Sequence, residues 1–409
     1  MPLGIYIAVP FCKSKCSFCN FAAGVFSRDL LQSFVDRVCD HIARTEETAA
    51  SLGVAFECEV DTIYLGGGTP TTLEPEQLSG LFSCVRNHFR VTDDAEITVE
   101  CAPGTLSPEI LETLVRNRVN RVSLGVQSFV DCEARAVGRL HDRETVLADI
   151  ERLRGAGIHN INVDLIAGLP HQTVGSWSES LSIALNTAVP HISVYMLEVD
   201  GDSRLGREVI AGGTRYHAHH VPDDDLTADF YSTACEQLSK AGIAQYEISN
   251  FARPGFESKH NLKYWTRQPY LGFGLDAHSM LPVSRSSSHY VDPIAWRFST
   301  SDDLPDFLKH ERTQYESMAV GLRDALEEEF FLGLRLNRGI DLVQISEKVR
   351  LEIPSEFLEA VAGLRREGLL HTEANNVRLT PRGRLLSNEV FARFIGCHPQ
   401  IPAHQLASC

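Results

Sequence analysis

The sequence predicts an α/β fold in which an open parallel sheet of six β-α units is followed by a small winged-helix-like module. Three observations predict it. From residue 4 to about 200, strand-like apolar runs alternate with amphipathic stretches, the pattern of a parallel sheet with right-handed crossovers. Six units is two short of a closed eightfold barrel. The chain's 409 residues exceed one ordinary domain but suit a large α/β unit plus a small one, and from about residue 315 the pattern changes to helices and a hairpin.

The strand-like runs are 5–9, 62–65, 96–100, 121–126, 160–166 and 192–197. Between the second and third, Leu78, Leu81, Phe82, Val85 and Phe89 share one helical face. Ser107-Pro108-Glu109 opens the next helix, with Ser as cap and Pro in the first turn. Val146, Leu147, Ile150 and Leu153 form another stripe, stopped by Gly155 and Gly157.

Residues 201–310 look irregular. His217, His219 and His220 lie there, read as a solvated loop before Pro222-Asp223-Asp224-Asp225 in preference to a metal site. A Gly-rich turn is expected at Gly272-Phe273-Gly274. In the last part, 369–373 and 377–380 read as strands about a turn at Asn375-Asn376, since Asn tolerates positive φ. The expected divisions are 1–200, 201–312 and 313–400.

With 54 Asp and Glu against 38 Lys and Arg, the net charge is −16, which argues against nucleic acid as the main partner. Residues 311–400 carry 12 Lys and Arg against 14 Asp and Glu, so a DNA-reading wing is poorly supported, and Arg378, Arg382 and Arg384 read as ordinary surface arginines. No apolar run reaches the length of a membrane span, and the N-terminus lacks a basic and apolar leader pattern. The expectation is a soluble cytoplasmic protein. Of 11 Cys, those outside one short loop read as small buried hydrophobes in a reducing compartment.

That loop is Cys12-Lys13-Ser14-Lys15-Cys16-Ser17-Phe18-Cys19, directly after the first strand. Three thiolates at this spacing can hold three corners of a [4Fe–4S] cube and leave one iron open. A structural zinc site is the competing reading, although no further Cys or His pair follows at finger-like spacing. Gly66-Gly67-Gly68-Thr69-Pro70 ends the second strand, where glycines let backbone approach a ligand closely.

The cysteine spacing, Tyr6 six positions before it, the Gly66–Pro70 run, Leu124-Gly125-Val126-Gln127-Ser128-Phe129 and Asp164-Leu165-Ile166-Ala167-Gly168-Leu169-Pro170 resemble the radical S-adenosylmethionine (SAM) enzymes. Within them the chain is similar to the oxygen-independent coproporphyrinogen oxidase family, from about residue 4 to about 395. The resemblance implies an open (β/α)6 partial barrel. It also implies a [4Fe–4S] cluster on Cys12, Cys16 and Cys19, with SAM held by Tyr6, Phe18, Gly67, Gly68, Thr69, Glu100, Gln127, Arg139 and Asp164. For each polar side chain among these, a satisfied structural role is the alternative.

Two departures separate the chain from the oxidases themselves. Phe21 stands where they carry a fourth Cys, and Ala8 where they carry His. The run His260-Asn261-Leu262-Lys263-Tyr264-Trp265 and the closing 379–391 segment instead resemble the haem chaperone branch of that family. This implies haem as cargo, recipient haem proteins of the respiratory chain, and a place at the inner face of the cytoplasmic membrane; a homodimer is a further expectation. His260 and Tyr264 are candidate iron ligands near the barrel mouth, or else braces of a loop. A radical SAM enzyme, either a class C-type methyltransferase or a porphyrin-modifying oxidase, is the rival reading; coproporphyrinogen oxidation is not expected.

Overall fold

In the computed structural model, which describes residues 1–283, 293–309 and 313–396, all six expected strands are present. They are β1 (Leu3–Val9), β2 (Glu59–Gly67), β3 (Arg90–Cys101), β4 (Arg121–Gln127), β5 (Asn160–Ala167) and β6 (His191–Met196). Each pairs in parallel with the next. The helix after β3 begins where the sequence says, with Ser107 accepting a hydrogen bond from the Ile110 N–H; Asp142 and Thr173 cap the next two long helices in the same way. Leu147, expected in the stripe, is exposed instead; Val146, Ile150 and Leu153 suffice to seat that helix.

Side chains alternate across a strand, and in this sheet the alternation has an unusual sense. Ile5, Ile7, Val9, Ile63, Leu65, Ile97, Val99, Val122, Leu124, Ile161, Val163, Leu165, Ile192 and Val194 form the main core, beneath the helices. The intervening residues, Tyr6, Thr62, Tyr64, Glu96, Thr98, Glu100, Arg121, Ser123, Asn162, Asp164, His191 and Ser193, share the other face. The register fixes this: Tyr6, Tyr64, Thr98, Arg121 and Asn160 lie side by side across five strands. The strands therefore enclose a polar lumen.

The stretch expected to be irregular extends the same sheet. It supplies β7 (Ala244–Gln245), β8 (Asn250–Ala252), β9 (Tyr270–Gly274), β10 (His278–Pro282) and β11 (Ala295–Ser299), and β12 (Glu316–Val320) follows. The order is β12-β11-β10-β9-β1-β2-β3-β4-β5-β6-β8-β7, so among the described residues the barrel is open. The sheet thus continues past residues 200 and 312. The supposed Gly-rich turn is β9, parallel to β1. Its glycines are required by close approach: a Cβ on Gly272 would lie 2.2 Å from the His278 carbonyl oxygen, and one on Gly274, at φ +101°, 2.3 Å from that of Ala8. Leu271 and Phe273 enter the main core, but with glycine at both alternate positions the run is short and reads as a turn.

The C-terminal part has its own core around Phe330, Phe357, Val361, Leu364 and Phe394. Helices Leu322–Gly333, Leu342–Val349 and Ser355–Arg366 pack on a three-stranded sheet of β13 (Ile340–Asp341), β14 (Leu370–Glu373) and β15 (Asn376–Leu379), the winged-helix-like arrangement expected. The turn differs by one residue: Ala374 takes the positive φ of 51°, while Asn376 belongs to β15 and its side chain donates to the Arg338 carbonyl. No described helix is long and apolar enough to cross a membrane.

A buried ion triad joins this part to the barrel. The Glu328 carboxylate accepts from Arg297 Nε at 2.7 Å and from Arg267. Burial pushes its pKa up, but the two guanidiniums together hold it below the usual carboxylate range. Removing one partner of a buried charge network leaves the others uncompensated, which costs about 3–5 kcal/mol. Glu328→Ala is therefore expected to lower the unfolding free energy by that much, and Glu328→Gln by less, as measured by urea titration followed by circular dichroism.

Candidate radical SAM site

The cysteine loop leaves β1 at Pro10 and is held by main-chain bonds to its neighbours. The Gly68 N–H donates to the Val9 carbonyl at 2.7 Å and the Thr69 N–H to that of Phe11 at 2.8 Å. Ser17 N–H reaches the Val137 carbonyl, Leu205 N–H the Ser17 carbonyl, and Cys12 N–H the Gly24 carbonyl. A Cβ on Gly68 would stand 2.7 Å from the Val9 oxygen and 2.9 Å from that of Phe11. Glycine is thus the residue that lets β2 close on the loop.

Two side chains reach the thiols. Thr69 Oγ1 lies 3.8 Å from Cys12 Sγ and Arg139 Nη1 lies 3.4 Å from Cys16 Sγ. Burial pushes the Cys12 thiol up to about 11, with the neighbouring Cys19 and Cys16 adding to it and Thr69 and Arg139 opposing; burial likewise raises Cys19. Cys12 and Cys19, whose ionisation burial resists, become good ligands when iron supplies the missing positive charge. All the described cysteines are free thiols. Among the described residues no three His, Cys, Asp or Glu converge on a single ion. A cube takes each thiolate on a different iron, and this donor set suits it.

Around the loop the mouth is built from strand ends. Arg139 donates a second time, to the Gly125 carbonyl, and its Nε is buried without a partner. Gln127 sits at φ +68° where the β4–β5 register shifts. Tyr64 donates to Glu100 Oε1 at 2.9 Å. Burial, then the nearby Asp164, raises Glu100 to about 7, against the hydrogen bonds from Tyr64 and Gly67. Asp164 accepts from Ser123 at 3.0 Å and Asn162 at 2.7 Å; burial still raises it. Ala8 lies between Gly66 and Gly274 in neighbouring strands, a row of small residues across the mouth. Phe18, expected among the cofactor contacts, packs against the apolar group of Val137, Ile166, Leu169, Leu205 and Ala218, and so anchors the loop's back.

His260 is not at the mouth. The helix Lys259–Trp265 closes the opposite end of the lumen, beneath Tyr6, because Ser258 caps it and Glu96 accepts from the Lys259 and His260 N–H groups. The imidazole is 1% exposed. Its Nδ1 pairs with Thr62 Oγ1 at 2.9 Å and its Nε2 with the Tyr264 hydroxyl at 2.8 Å. The ring stacks 6.3 Å from that of Tyr6. Burial, then the Lys263 and Arg121 charges, lowers its pKa to about 3. This corrects the expected position: both nitrogens are engaged, and the ring braces the barrel floor. Motif spacing alone does not tell which end of a barrel a helix plugs.

Sequence reasoning missed the lumen's own network. Arg121, 2% exposed, stays charged: burial opposes this, but Glu96, Tyr64 and Asp164 outweigh it. His191 bonds Asn162 at 2.6 Å and Tyr246 at 3.0 Å. The available signal was the polar half of each strand's alternation, since a face bound for an apolar core would not carry Glu96, Arg121 and His191.

Residues 6–183 match the radical SAM superfamily and residues 320–386 the HemN C-terminal domain. The chain is 34% identical over 397 residues to heme chaperone HemW of Bacillus subtilis (strain 168), covering 96% of this chain and 98% of that one. The chain belongs to the HemW family. Heme chaperone HemW of Lactococcus lactis subsp. lactis (strain IL1403) is 31% identical over 397 residues, covering 96% of this chain and 97% of that protein. Among solved structures, one titled "Coproporphyrinogen III oxidase (HemN) from Escherichia coli is a Radical SAM enzyme" aligns with TM-score 0.79 at 24% identity, over 96% of this chain and 90% of that one. That likeness shows the shared fold. Membership of the radical SAM superfamily implies that HemW chains such as this one bind a [4Fe–4S] cluster and SAM.

Two outcomes follow. Gly68→Ala is expected to leave helix content unchanged but to prevent a full cluster on anaerobic reconstitution with iron and sulfide, read as acid-labile sulfide per chain. His260, neutral in the fold and an ordinary imidazole when unfolded, contributes stability present above about pH 6.5 and lost as pH falls toward 3, at most about 1.4 kcal/mol per pH unit. In urea titrations between pH 7.5 and 5.5, His260→Asn should start less stable and show a shallower loss.

Proposed function

We propose that this protein is a haem chaperone carrying a SAM-coordinated [4Fe–4S] cluster, which binds haem and delivers it to respiratory haem proteins. The observation that carries this reading is the nearly end-to-end likeness to proteins named heme chaperone HemW. Cys12, Cys16 and Cys19 would hold the cluster; when bound and reduced, it supplies the electron that cleaves the sulfonium of SAM. The proximity of Arg139 to Cys16 supports a role in receiving the methionyl carboxylate by a guanidinium fork. Glu100 and Asp164 suit the ammonium or ribose hydroxyls, and Gln127 the ribose. Gly67, Gly68 and Thr69 offer close-approaching backbone, and Tyr6 forms the pocket floor.

Cytoplasmic residence, with peripheral contact at the inner membrane face and a homodimeric state, completes the proposal. The strand-end carboxylates Glu100 and Asp164, with Arg139 beside Cys16, support one second reading, a radical SAM enzyme of the methyltransferase or porphyrin-modifying kind. Phe21 and Ala8 weigh against the oxidase branch of it.

Titrating the reconstituted protein with haem, then adding an apo-form respiratory haem protein, decides between them. Stoichiometric haem binding and transfer, with no protoporphyrinogen formed from coproporphyrinogen III in the presence of SAM and a reductant, is the expected result. Turnover of SAM to a modified porphyrin without transfer would establish the enzyme. Cys16→Ala should lose the cluster yet keep the barrel's circular dichroism.

A further inference from the structure

The three arginines of the wing, which read alike in the sequence, are separated by the structure. Arg382 is exposed, and its Nη1 donates to the Glu367 carbonyl at 3.1 Å. Arg378 and Arg384 instead line one open cleft of about 430 Å³, whose wall also includes Asn337, His371 and Thr380.

The cleft is fixed by main chain. β14 and β15 pair antiparallel, with His371 directly opposite Arg378. The turn before β13 is pressed against β15, since Gly339, at φ +71°, leaves no room for a Cβ beside the Val377 carbonyl oxygen. Asn337 in that turn is tethered to the barrel: its N–H donates to the Tyr246 carbonyl at 3.0 Å and its Nδ2 to that of Gln245 at 2.7 Å. On the other side, the helix Pro381–Leu385 closes on the residue before β14, because Gly383 has no Cβ to meet the Leu369 carbonyl oxygen. Thr380 Oγ1 accepts from the Gly383 N–H at 3.0 Å, and Leu385 packs against the main core of the barrel. The cleft therefore lies where the wing meets the barrel, and both guanidiniums extend from rigid elements.

Two guanidiniums on one concave wall repel each other unless an anion stands between them. Acidic side chains outnumber basic ones in this chain, 54 to 38, and Arg323, Arg335 and Arg393 in the same part each take one. Among the described residues no carboxylate pairs with Arg378 or Arg384, and none lines the cleft. The open volume falls in the range of small-molecule sites and exceeds a phosphate group several-fold, which leaves room for the alcohol side of an ester. Planar guanidiniums hold phosphate through paired N–H donors. A dianionic phosphomonoester matches both cations, whereas a single carboxylate would leave one uncompensated.

We propose that this cleft between wing and barrel binds the phosphate of a phosphomonoester, gripped by Arg378 and Arg384 with His371 beside them. It uses none of the residues assigned to the cluster, SAM or haem. Two sources carry such a group, a small soluble ester and the headgroup of phosphatidic acid.

Calorimetric titration of the full chain with glycerol phosphate, and flotation with phosphatidylcholine vesicles containing phosphatidic acid, distinguish the sources. Binding of glycerol phosphate without flotation assigns the soluble ester; flotation assigns the headgroup. In either arm Arg378→Gln and Arg384→Gln should each weaken binding about tenfold, the loss of one charge-assisted contact. Arg382→Gln removes the same charge outside the cleft and should leave binding unchanged. Should Arg384→Gln not fold by circular dichroism, Arg384→Lys, which keeps the charge but loses the fork, should weaken binding by a smaller factor. Equal losses in the Arg378, Arg382 and Arg384 variants, or equal flotation with phosphatidylglycerol vesicles, would mark a general attraction to negative charge and overturn the site. Absence of binding in both arms overturns it as well.

Discussion

The contact that everything at the mouth depends on is the main-chain seam between the end of β2 and the start of the cysteine loop. Two hydrogen bonds, from Gly68 and Thr69 to the carbonyls of Val9 and Phe11, are short because no Cβ intervenes. They bring Thr69 to Cys12 and set the loop's course toward Val137 and Leu205. The thiols, the strand-end carboxylates and Arg139 then face one opening. A single methyl on Gly68 would have to displace backbone on both sides, so local conformation and site assembly are one constraint.

The polar lumen imposes a second condition. Residues that alternate inward on the six strands bring Arg121, Glu96, Glu100 and Asp164 out of bulk water, where unpaired charges are costly. The structure meets this by mutual neutralisation around Arg121 and by neutral histidines, His191 and His260, that complete hydrogen bonds without adding charge. The floor is thereby lined with paired polar side chains, although Arg121 Nε and Thr98 Oγ1 are buried without a hydrogen-bond partner. The mouth keeps Glu100 and Asp164 with raised pKa values, carboxylates whose charged form would gain from a cationic ligand.

The segment from Ser203 to Val221 ties the two halves of the mouth together. Arg204 donates to the Lys15 carbonyl and lies over Tyr216, Asn20 reaches Asp200, and Ala218, Leu205 and Phe18 share one apolar group. The cysteine loop therefore does not stand alone on β1. Its back is covered by this segment, on which the order of the loop depends.

Much was legible in the sequence because it was local. The six strands, the helix cap at Ser107, the three-cysteine loop and the glycine run all depend on neighbours within a few residues, where periodicity and backbone freedom act directly. Even the wing hairpin was misplaced by only one residue, with the positive φ on Ala374. What only the tertiary structure decided was long-range. β9 has glycine at 272 and 274, which reads locally as a turn, and its place beside β1 is set by backbone contact with Ala8. His260 could be read as a ligand because spacing says nothing about which end of the barrel its helix closes; Glu96 and Thr62, far away in sequence, decide that. The meeting of His171 with His217, Nε2 to Nδ1 at 3.1 Å, is of the same kind. Sequence specifies residue types and local geometry, whereas partnerships between segments arise only when the sheet's register brings them to one place.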